Sequence, residues 1–488
     1  MKPRPIVASL WFIAFAGCAQ TSSAPDFDEV RDVVTERSGF DVRWDQSTSA
    51  DAQVAERIRA VLARPLSADD AVQVALLSNR RMHAAYERLG VAQADVVDAG
   101  LLQNPVFHVR PRWGDRPPTA TNVEIGAEWD FLQALMIPAR TRLAGIRFEG
   151  VRMGVTHDVL EFVGHVREAY YELVAAEQLS GVMKIVAEAA EASFELSERM
   201  MAAGNVPELD LEHQRALFEE AKLEYARAQL ASLDARERLN ALMGLWGRQT
   251  TWTVPAQLPE MPAIEASVEH LESIAIANRL DLAEAGREVE SHSAALGITR
   301  QWRYFLFAQI GIDSERDTSG QWVTGPELQI ELPIFNQRQA DIARLESNLR
   351  ASEDRLTALA IEIRSEVRSL RTRLLLTRQV AERYRDVIVP THQRIVQLSQ
   401  EQYNYMLTGI FQVLESRKVE MRTYREYVNQ VRDYWITRAR LERAMGTRLT
   451  QGVEQPELNP PRATSSKPAS HSMSTSSNPR DQTHDHTP

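Results

Sequence analysis

The chain has 488 residues, a formal net charge of −11 and 44% hydrophobic residues. Its single cysteine, Cys18, excludes an internal disulfide and a cysteine-based metal site. An acidic chain without a basic stripe also argues against nucleic acid as a partner.

The N-terminus has the order of a secretory signal. Two basic residues precede an apolar stretch, 6–16, which is too short to span a bilayer as a helix. The next residues, FAGC, resemble a bacterial lipobox, whose cysteine is acylated and becomes the mature N-terminus. This resemblance implies a signal peptide over 1–17, a lipidated linker over 18–65 and sorting to the outer membrane. A plain signal peptide with an incidental cysteine at Cys18 is the alternative.

The first half of the chain continues with a helix over about 67–99 and two strands. The second strand, 122–131, alternates apolar residues with polar residues or glycine. A polar stretch joins it to its partner, 104–113, so the pair predicts a hairpin. Strands of about ten residues with one apolar and one polar face fit a transmembrane barrel. A soluble sheet that covers a helix layer fits the same residues.

A long helix with a heptad pattern follows. Apolar residues recur every seven positions from 138 to 203, which predicts a coiled-coil seam roughly 100 Å long at 1.5 Å per residue. The seam consists of Phe162, Val166, Ala169, Leu173, Ala176, Met183, Ala187, Ala190 and Phe194. A turn at 203–210 leads into a return helix over 207–243. Because the return helix is only about half as long, the helix before the strands should supply the missing length.

The second half repeats this order about 200 residues later. LNALMG at 239–244 corresponds to LERAMG at 441–446, and we pair Asn79 with Asn278 and Gly204 with Gly409. A proline, Pro390, should kink the second long arm because it removes one helix hydrogen bond. The predicted elements are a helix over 265–299, strands over 301–313 and 322–334, a long arm over 335–408 and a return helix over 410–446.

Four strands in one chain leave the sheet incomplete. Single-chain barrels begin at about eight strands. The two hairpins must therefore pack within the same chain or be completed by other copies of it.

The C-terminus is rich in Ser, Thr, Pro and Asn, and we expect disorder over 451–488. Such a tail could bind copper or zinc weakly, although a flexible tail without metal is the alternative. Its candidate ligands are His471, Met473, His484, Asp485 and His486.

Taken together, the lipobox, the repeat, the paired strands and the coiled-coil arms resemble the TolC-like outer-membrane efflux protein family over about 66–446. The resemblance implies a mainly α fold with a small β part: a long coiled-coil α-helical barrel plus a transmembrane β-barrel. Trimerisation would complete this β-barrel with four strands per chain. It also implies two efflux repeats, 66–260 and 261–450, and no cofactor apart from the covalent lipid on Cys18. The implied partners are a homotrimer, a periplasmic adaptor protein and an inner-membrane pump. The implied location is the outer membrane, lipid-anchored, with a large periplasmic portion.

The resemblance places the functional positions at the turns of the helical hairpins. Gly204 and Gly409 match the tip glycines at which an adaptor is expected to dock, although a simple helix stop explains them as well. Asp210 and Glu415, six residues beyond each glycine, match carboxylates that form a periplasmic constriction in some members. Three copies of Glu415 around a narrow pore would attract cations. Solvated helix surface is the alternative for both acids.

A weaker metal candidate lies on the first long helix. His157, Glu161 and His165 share one helical face and could hold a divalent ion. Solvated helix surface is the more common environment for such residues. No HExxH motif and no nucleophile-base constellation accompany them, so the sequence does not predict an enzyme.

These observations favour a passive exit duct of a tripartite efflux pump, which conducts heavy metals or drugs from the periplasm to the exterior. The alternative is a non-conducting coiled-coil envelope lipoprotein with a scaffolding or adhesion role. The amphipathic hairpins favour the duct, because a scaffold does not need them.

Overall fold

The computed structural model describes residues 24–44, 50–113, 115, 120–263, 270–305 and 307–449. Within these ranges, no helix combines the length and the apolar composition needed to cross a bilayer. Outside the described residues lie Cys18, the signal peptide 1–17, and the tail 451–488 with His471, His484 and His486.

The described part of the chain is mostly helical. Its α-helices are α1 (Ala24–Ser38), α2 (Ala50–Leu62), α3 (Ala68–Ser78), α4 (Arg80–Gly100), α5 (Phe131–Ala202), α6 (Glu208–Met243), α7 (Leu271–Asn278), α8 (Leu280–Gln301), α9 (Gln339–Arg383), α10 (Val389–Asn404) and α11 (Ile410–Met445). The strands are β1 (Val106–Arg112), β2 (Asn122–Asp130), β3 (Ala308–Arg316) and β4 (Trp322–Ile330).

The strands form one antiparallel sheet in the order β1-β2-β3-β4. Both predicted hairpins are present, as β1 with β2 and β3 with β4. The two hairpins are joined by pairing of β2 with β3, in which Val123 lies opposite Arg316 and Asp130 opposite Gln309. The sheet therefore links the two halves of the chain and places β1 and β4 at its outer edges.

The predicted strand over 301–313 is wrong at both ends. Helix α8 continues to Gln301, and the Trp302 N–H still donates to the Ile298 carbonyl, so β3 begins only at Ala308. At the other end, pairing with both neighbouring strands extends β3 to Arg316, into the predicted loop. The strand predicted over 322–334 ends at Ile330, three residues before Pro333, which has no N–H to donate to a ladder.

Helix α5 has 72 residues, so it is about 108 Å long at 1.5 Å per residue. It begins at Phe131, seven residues before the predicted start at Pro138. Asp130 explains the earlier start, because its side chain accepts hydrogen bonds from the Leu132 and Gln133 N–H groups and caps the helix. Pro138 then lies inside the helix, near its N-terminus.

The second long arm is interrupted where Pro390 was predicted to disturb it. Helix α9 ends at Arg383, a π-helical segment covers Tyr384–Ile388, and α10 continues with Pro390 in its first turn. Proline lacks the N–H that an α-helix uses and crowds the preceding turn, so a local widening of the helix accommodates it.

The core follows the predicted packing. One buried cluster joins the six helices α1 to α6, and a second joins α7, α9 and α11. Helix α5 contacts both α4 and α6, so two shorter helices flank the long one, as predicted. Buried seam residues include Phe162, Val166, Ala169, Leu173, Met183 and Ala187.

A polar link between short helices repeats in both halves. Asn79 separates α3 from α4, and its Nδ2 donates to the Leu242 carbonyl at the end of α6. In the second half Arg279 separates α7 from α8 and donates to the Ala444 carbonyl near the end of α11. Arg279 is thus the structural counterpart of Asn79. The predicted alignment of Asn79 with Asn278 is therefore wrong by one residue.

The return helices end at equivalent glycines that touch these links. Gly244 and Gly446 have φ of +65° and +67°. A Cβ on Gly244 would lie 2.7 Å from the Ser78 carbonyl oxygen, and one on Gly446 would lie 3.2 Å from the Asn278 oxygen. Glycine is required here both for the left-handed backbone and for the close approach of another backbone.

We expect Gly244→Ala to destabilise the first repeat by more than about 1–2 kcal/mol, the usual cost of a left-handed alanine, because its Cβ also meets the Ser78 carbonyl. Gly247→Ala is the matched control, since Gly247 has φ of +60° and no described atom within 4 Å of its Cβ position. Thermal or denaturant unfolding in detergent, followed by helical circular dichroism, measures both variants. Equal losses would contradict the close-approach argument.

Candidate functional site

One face of the sheet is apolar and exposed in the single chain. Cross-strand partners continue this face through the sheet: Phe107 lies opposite Ala127, which lies opposite Ile312. Phe107 is 69% exposed and Leu328 is 63% exposed. Exposed apolar surface of this extent marks contact with a membrane or a partner. The predicted alternation is confirmed, and no described helix covers this face as a soluble two-layer packing would require.

The opposite face of the sheet carries charged side chains. Arg110 Nη1 donates to Glu124 Oε1 at 2.6 Å, and Arg112 Nη2 donates to Glu124 Oε2 at 2.8 Å. Asn122 donates to Glu315 on the neighbouring strand. The sheet is therefore oily on one side and hydrated on the other.

The first helical hairpin turns at Gly204. The Gly204 N–H donates to the Met201 carbonyl at 2.8 Å, and the Asn205 N–H donates to the Met200 carbonyl at 2.9 Å. These two bonds form a Schellman motif, which places Gly204 at the left-handed position with φ of +75°. The turn thus requires the conformation that glycine adopts without strain.

The second hairpin makes the same motif with a different residue. The Met406 N–H donates to the Tyr403 carbonyl, and the Leu407 N–H donates to the Gln402 carbonyl, both at 2.9 Å. Met406, with φ of +58°, therefore occupies the place of Gly204, 202 residues later. Gly409 instead precedes α11 in extended conformation, where Pro207 precedes α6.

The pairing of Gly204 with Gly409 is therefore wrong in structure, because a helix can end on a left-handed methionine and leave glycine elsewhere in the turn. No described atom lies within 4 Å of the Cβ position at either glycine. Their role in adaptor docking stays a prediction.

Exposed apolar residues cluster at the turns, which sequence reasoning did not single out. Tyr405, Met406 and Leu407 form the second turn, and Met406 is 93% exposed. Leu209 is similarly exposed beside the first turn. The apolar run YML, shortly before Gly409, could have indicated this exposed patch. An apolar run at the end of a helix, however, usually predicts a buried position.

The two predicted constriction acids do not occupy equivalent positions. Asp210 is half-buried in the first turn of α6, where the helix N-terminus favours a negative charge. Glu415 is exposed in the second turn of α11. With a repeat of 202 residues, Glu415 corresponds to His213. A shared constriction at Asp210 and Glu415 stays a prediction.

The metal candidate on α5 is engaged by an arginine. Arg443 Nε lies 3.6 Å from Glu161 Oε1, and Arg443 Nη1 lies 3.2 Å from His165 Nδ1. His165 Nε2 also lies 3.4 Å from Glu161. Among the described residues, the group of three side chains whose ligand atoms lie close enough to hold a metal ion is on the sheet. It does not include His157, Glu161 or His165.

A buried ion pair ties the first long helix to the last helix. Arg167 on α5 donates to Glu442 on α11 at 2.6 Å and to Asp69 on α3 at 2.8 Å. Burial raises the pKa of Glu442, and the nearby Arg167 opposes this by lowering it. The arrangement joins three helices and carries no catalytic constellation.

Comparison with known proteins agrees with this architecture. A family model described as outer membrane efflux protein matches residues 71–245. The cobalt-zinc-cadmium resistance protein CzcC of Cupriavidus metallidurans is 24% identical over 341 residues, which cover 67% of this chain and 77% of that protein.

Solved structures show the same fold. The Campylobacter jejuni CmeC outer membrane channel has a TM-score of 0.67 and 14% identity, covering 79% of this chain and 87% of its own. The open state of the Neisseria gonorrhoeae MtrE outer membrane channel has a TM-score of 0.63 and 14% identity, covering 80% of this chain and 91% of its own.

The predicted fold class, mainly α with a small β part, is confirmed by these matches. The matched family consists of outer membrane channels, which are not enzymes. This match and the channel structures indicate an outer membrane location with the helical part in the periplasm. Residues 71–245 therefore match the outer membrane efflux protein family, and the chain has the fold of the CmeC and MtrE channels.

Proposed function

We propose that three copies of this chain form the exit duct of a tripartite efflux pump, which passively conducts its substrate from the periplasm to the exterior. The observation that carries the proposal is the two-faced sheet. Its exposed apolar face suits lipid, its charged face suits water, and its two edge strands suit pairing with further copies.

Closure of the sheet needs more strands than one chain supplies. Strands β1 and β4 pair on one side only within the described part of the chain, and an unpaired strand edge is a template for another strand. Three copies supply twelve antiparallel strands, with β1 of one copy beside β4 of the next. Twelve is within the range of known barrels.

The helices would extend this conduit into the periplasm. Helix α5 alone is about 108 Å long, and it packs along α6 and α11 as part of a hairpin array. A scaffolding lipoprotein could use such rods, but it would gain nothing from an exposed apolar sheet face. This difference favours the duct.

The hairpin turns are the expected contact with the adaptor protein. They combine exposed apolar residues at Tyr405, Met406 and Leu407 with open space around Gly204 and Gly409. A patch of this kind suits a protein partner. Energy would come from the inner-membrane pump that the adaptor connects, because a passive duct supplies none.

Divalent metal ions are the favoured substrate class. The relative CzcC, at 24% identity, is named for cobalt, zinc and cadmium resistance. Acidic side chains at Asp210 and Glu415 would suit cations near the entrance. A wide duct otherwise inherits its specificity from the pump.

Purified protein in a planar bilayer should give single-channel steps. Under a ZnCl₂ gradient, the reversal potential should shift in the direction that indicates Zn²⁺ permeation. Glu415→Gln should reduce cation selectivity if three copies of Glu415 line the entrance. Glu56→Gln is the control, since this exposed acid on α2 carries the same charge away from the turns.

The duct proposal fails if no steps occur at any pH or voltage and the purified protein has no trimeric mass. Unchanged selectivity in Glu415→Gln would remove only the constriction assignment.

We also propose that Cys18 carries a lipid that anchors the N-terminus in the outer membrane. Cys18→Ser should then abolish palmitate labelling and slow maturation, while assembled protein retains its conductance. Labelling that persists in this variant would contradict the lipobox assignment.

A further inference from the structure

Three strands bring a histidine and two carboxylates together on the charged face of the sheet. His108 on β1 lies opposite Gly126 on β2, which lies opposite Asp313 on β3. His108 Nε2 is 3.5 Å from Glu124 Oε1 and 4.0 Å from Asp313 Oδ1. The ligand atoms of the three residues all lie within 4.8 Å of one another.

A glycine makes room for this group. The imidazole lies over Gly126, where a Cβ would be 2.4 Å from His108 Cε1 and 3.3 Å from Asp313 Oδ1. Glycine within a strand often marks a place where another group approaches the backbone closely. Any other residue at 126 would displace the imidazole from the carboxylates.

Two of the ligand atoms are buried without a hydrogen bond. His108 Nε2 and Asp313 Oδ1 find no hydrogen-bond partner among the described residues. Buried polar atoms are normally paired, so two unpaired acceptors side by side call for an explanation. A bound cation would satisfy both.

A fourth residue orients the histidine. Glu128 Oε1 lies 3.3 Å from His108 Nδ1, on the side of the ring away from Asp313. A carboxylate at this position favours the proton on Nδ1 and leaves Nε2 free to bind a metal. Metal-binding histidines commonly have such a carboxylate partner.

The net charge of the side chains around the site is negative, which favours a bound cation. Glu124, Glu128 and Asp313 bring three negative charges, and Arg110 and Arg112 bring two positive charges. Both arginines are more than half exposed, and each holds a different oxygen of Glu124. Because a carboxylate oxygen has two lone pairs, Glu124 can keep these bonds and still face an ion.

The geometry points to a binding site for a divalent transition-metal ion such as Zn²⁺, with His108, Glu124 and Asp313 as ligands and Glu128 as the orienting residue. Tetrahedral ligands at about 2.1 Å from a metal are about 3.4 Å apart. The His108–Glu124 distance of 3.5 Å matches this spacing, and Asp313, at 4.0 Å from His108, would move slightly inward to bind. Imidazole with carboxylates suits zinc and cobalt better than soft monovalent copper.

The site follows from the sheet of one chain, whereas its location inside a conduit rests on the proposed function. If three sheets close as proposed, the charged face lines the lumen and three such sites surround it. With three protein ligands and an open fourth position, the ion would exchange, as conduction requires.

Cobalt absorption provides the test, because Co²⁺ in a tetrahedral protein site gives visible bands that are much stronger than those of free, octahedral Co²⁺. The assay uses the full-length protein in detergent with His471, His484 and His486 changed to Asn, so that the tail contributes no bands. His108→Asn should weaken Co²⁺ binding at least tenfold, and Glu128→Gln should weaken it about 10–100-fold. Gly126→Ala should also weaken it without removing a ligand.

His165→Asn is the matched control, since His165 lies beside Glu161 on a helix, and it should leave binding unchanged. Zinc X-ray absorption of the same tail-substituted protein with His108 intact should show one imidazole nitrogen among oxygen ligands, which provides a readout even if a variant does not fold. Binding that survives His108→Asn, or that is lost in His165→Asn, would overturn the site, as would a zinc shell without imidazole. Binding needs no conductance, so this failure is distinct from failure of the duct.

Discussion

The pairing of β2 with β3 is the interaction on which the rest of the structure depends. Each hairpin alone would be marginal, because two strands in water bury too little surface. Pairing along Val123–Asp130 combines the hairpins into one sheet with a continuous apolar face and two free edges. The same pairing holds the N-terminus of α5 beside the strands of the second half, so both helical arms extend from one base. Without it, the chain would have neither a membrane-facing surface nor a common axis for its two repeats.

Much of this architecture follows from local sequence patterns, and the errors have local physical causes. Heptad spacing identified the seam that buries Phe162, and alternation identified β2 almost residue for residue. The start of β3 was predicted too early, because the aromatic residues before Ala308 suit both a helix end and a strand. The two turn glycines were paired incorrectly because Met406, and not a glycine, takes the left-handed conformation at the end of the second long arm. The group around His108 could not be predicted at all, since its ligands meet only through the long-range register of three strands.

Packing of the hairpins changes toward their turns. Around the middle of α5, large apolar residues such as Leu173 and Leu441 are fully buried. Near the turns, Ser399 and Ser416 share a hydrogen bond at 3.0 Å, and in the first half Gln214 accepts one from Ser193 at 2.9 Å. Polar contacts therefore accompany apolar ones near the turns, such as the stacking of Phe194 on Phe218.

The central claim is that three copies close the sheet through β1 and β4. Cysteine pairs test it directly: Val109→Cys combined in turn with Thr324→Cys, Leu328→Cys or Ile330→Cys, in a Cys18→Ser background. Within one chain these strands are separated by two others, roughly 14 Å at about 4.8 Å per strand, which is beyond disulfide reach. At least one pair should yield a reductant-sensitive covalent trimer. Monomers or dimers alone, from every pair in oxidised membranes, would contradict it.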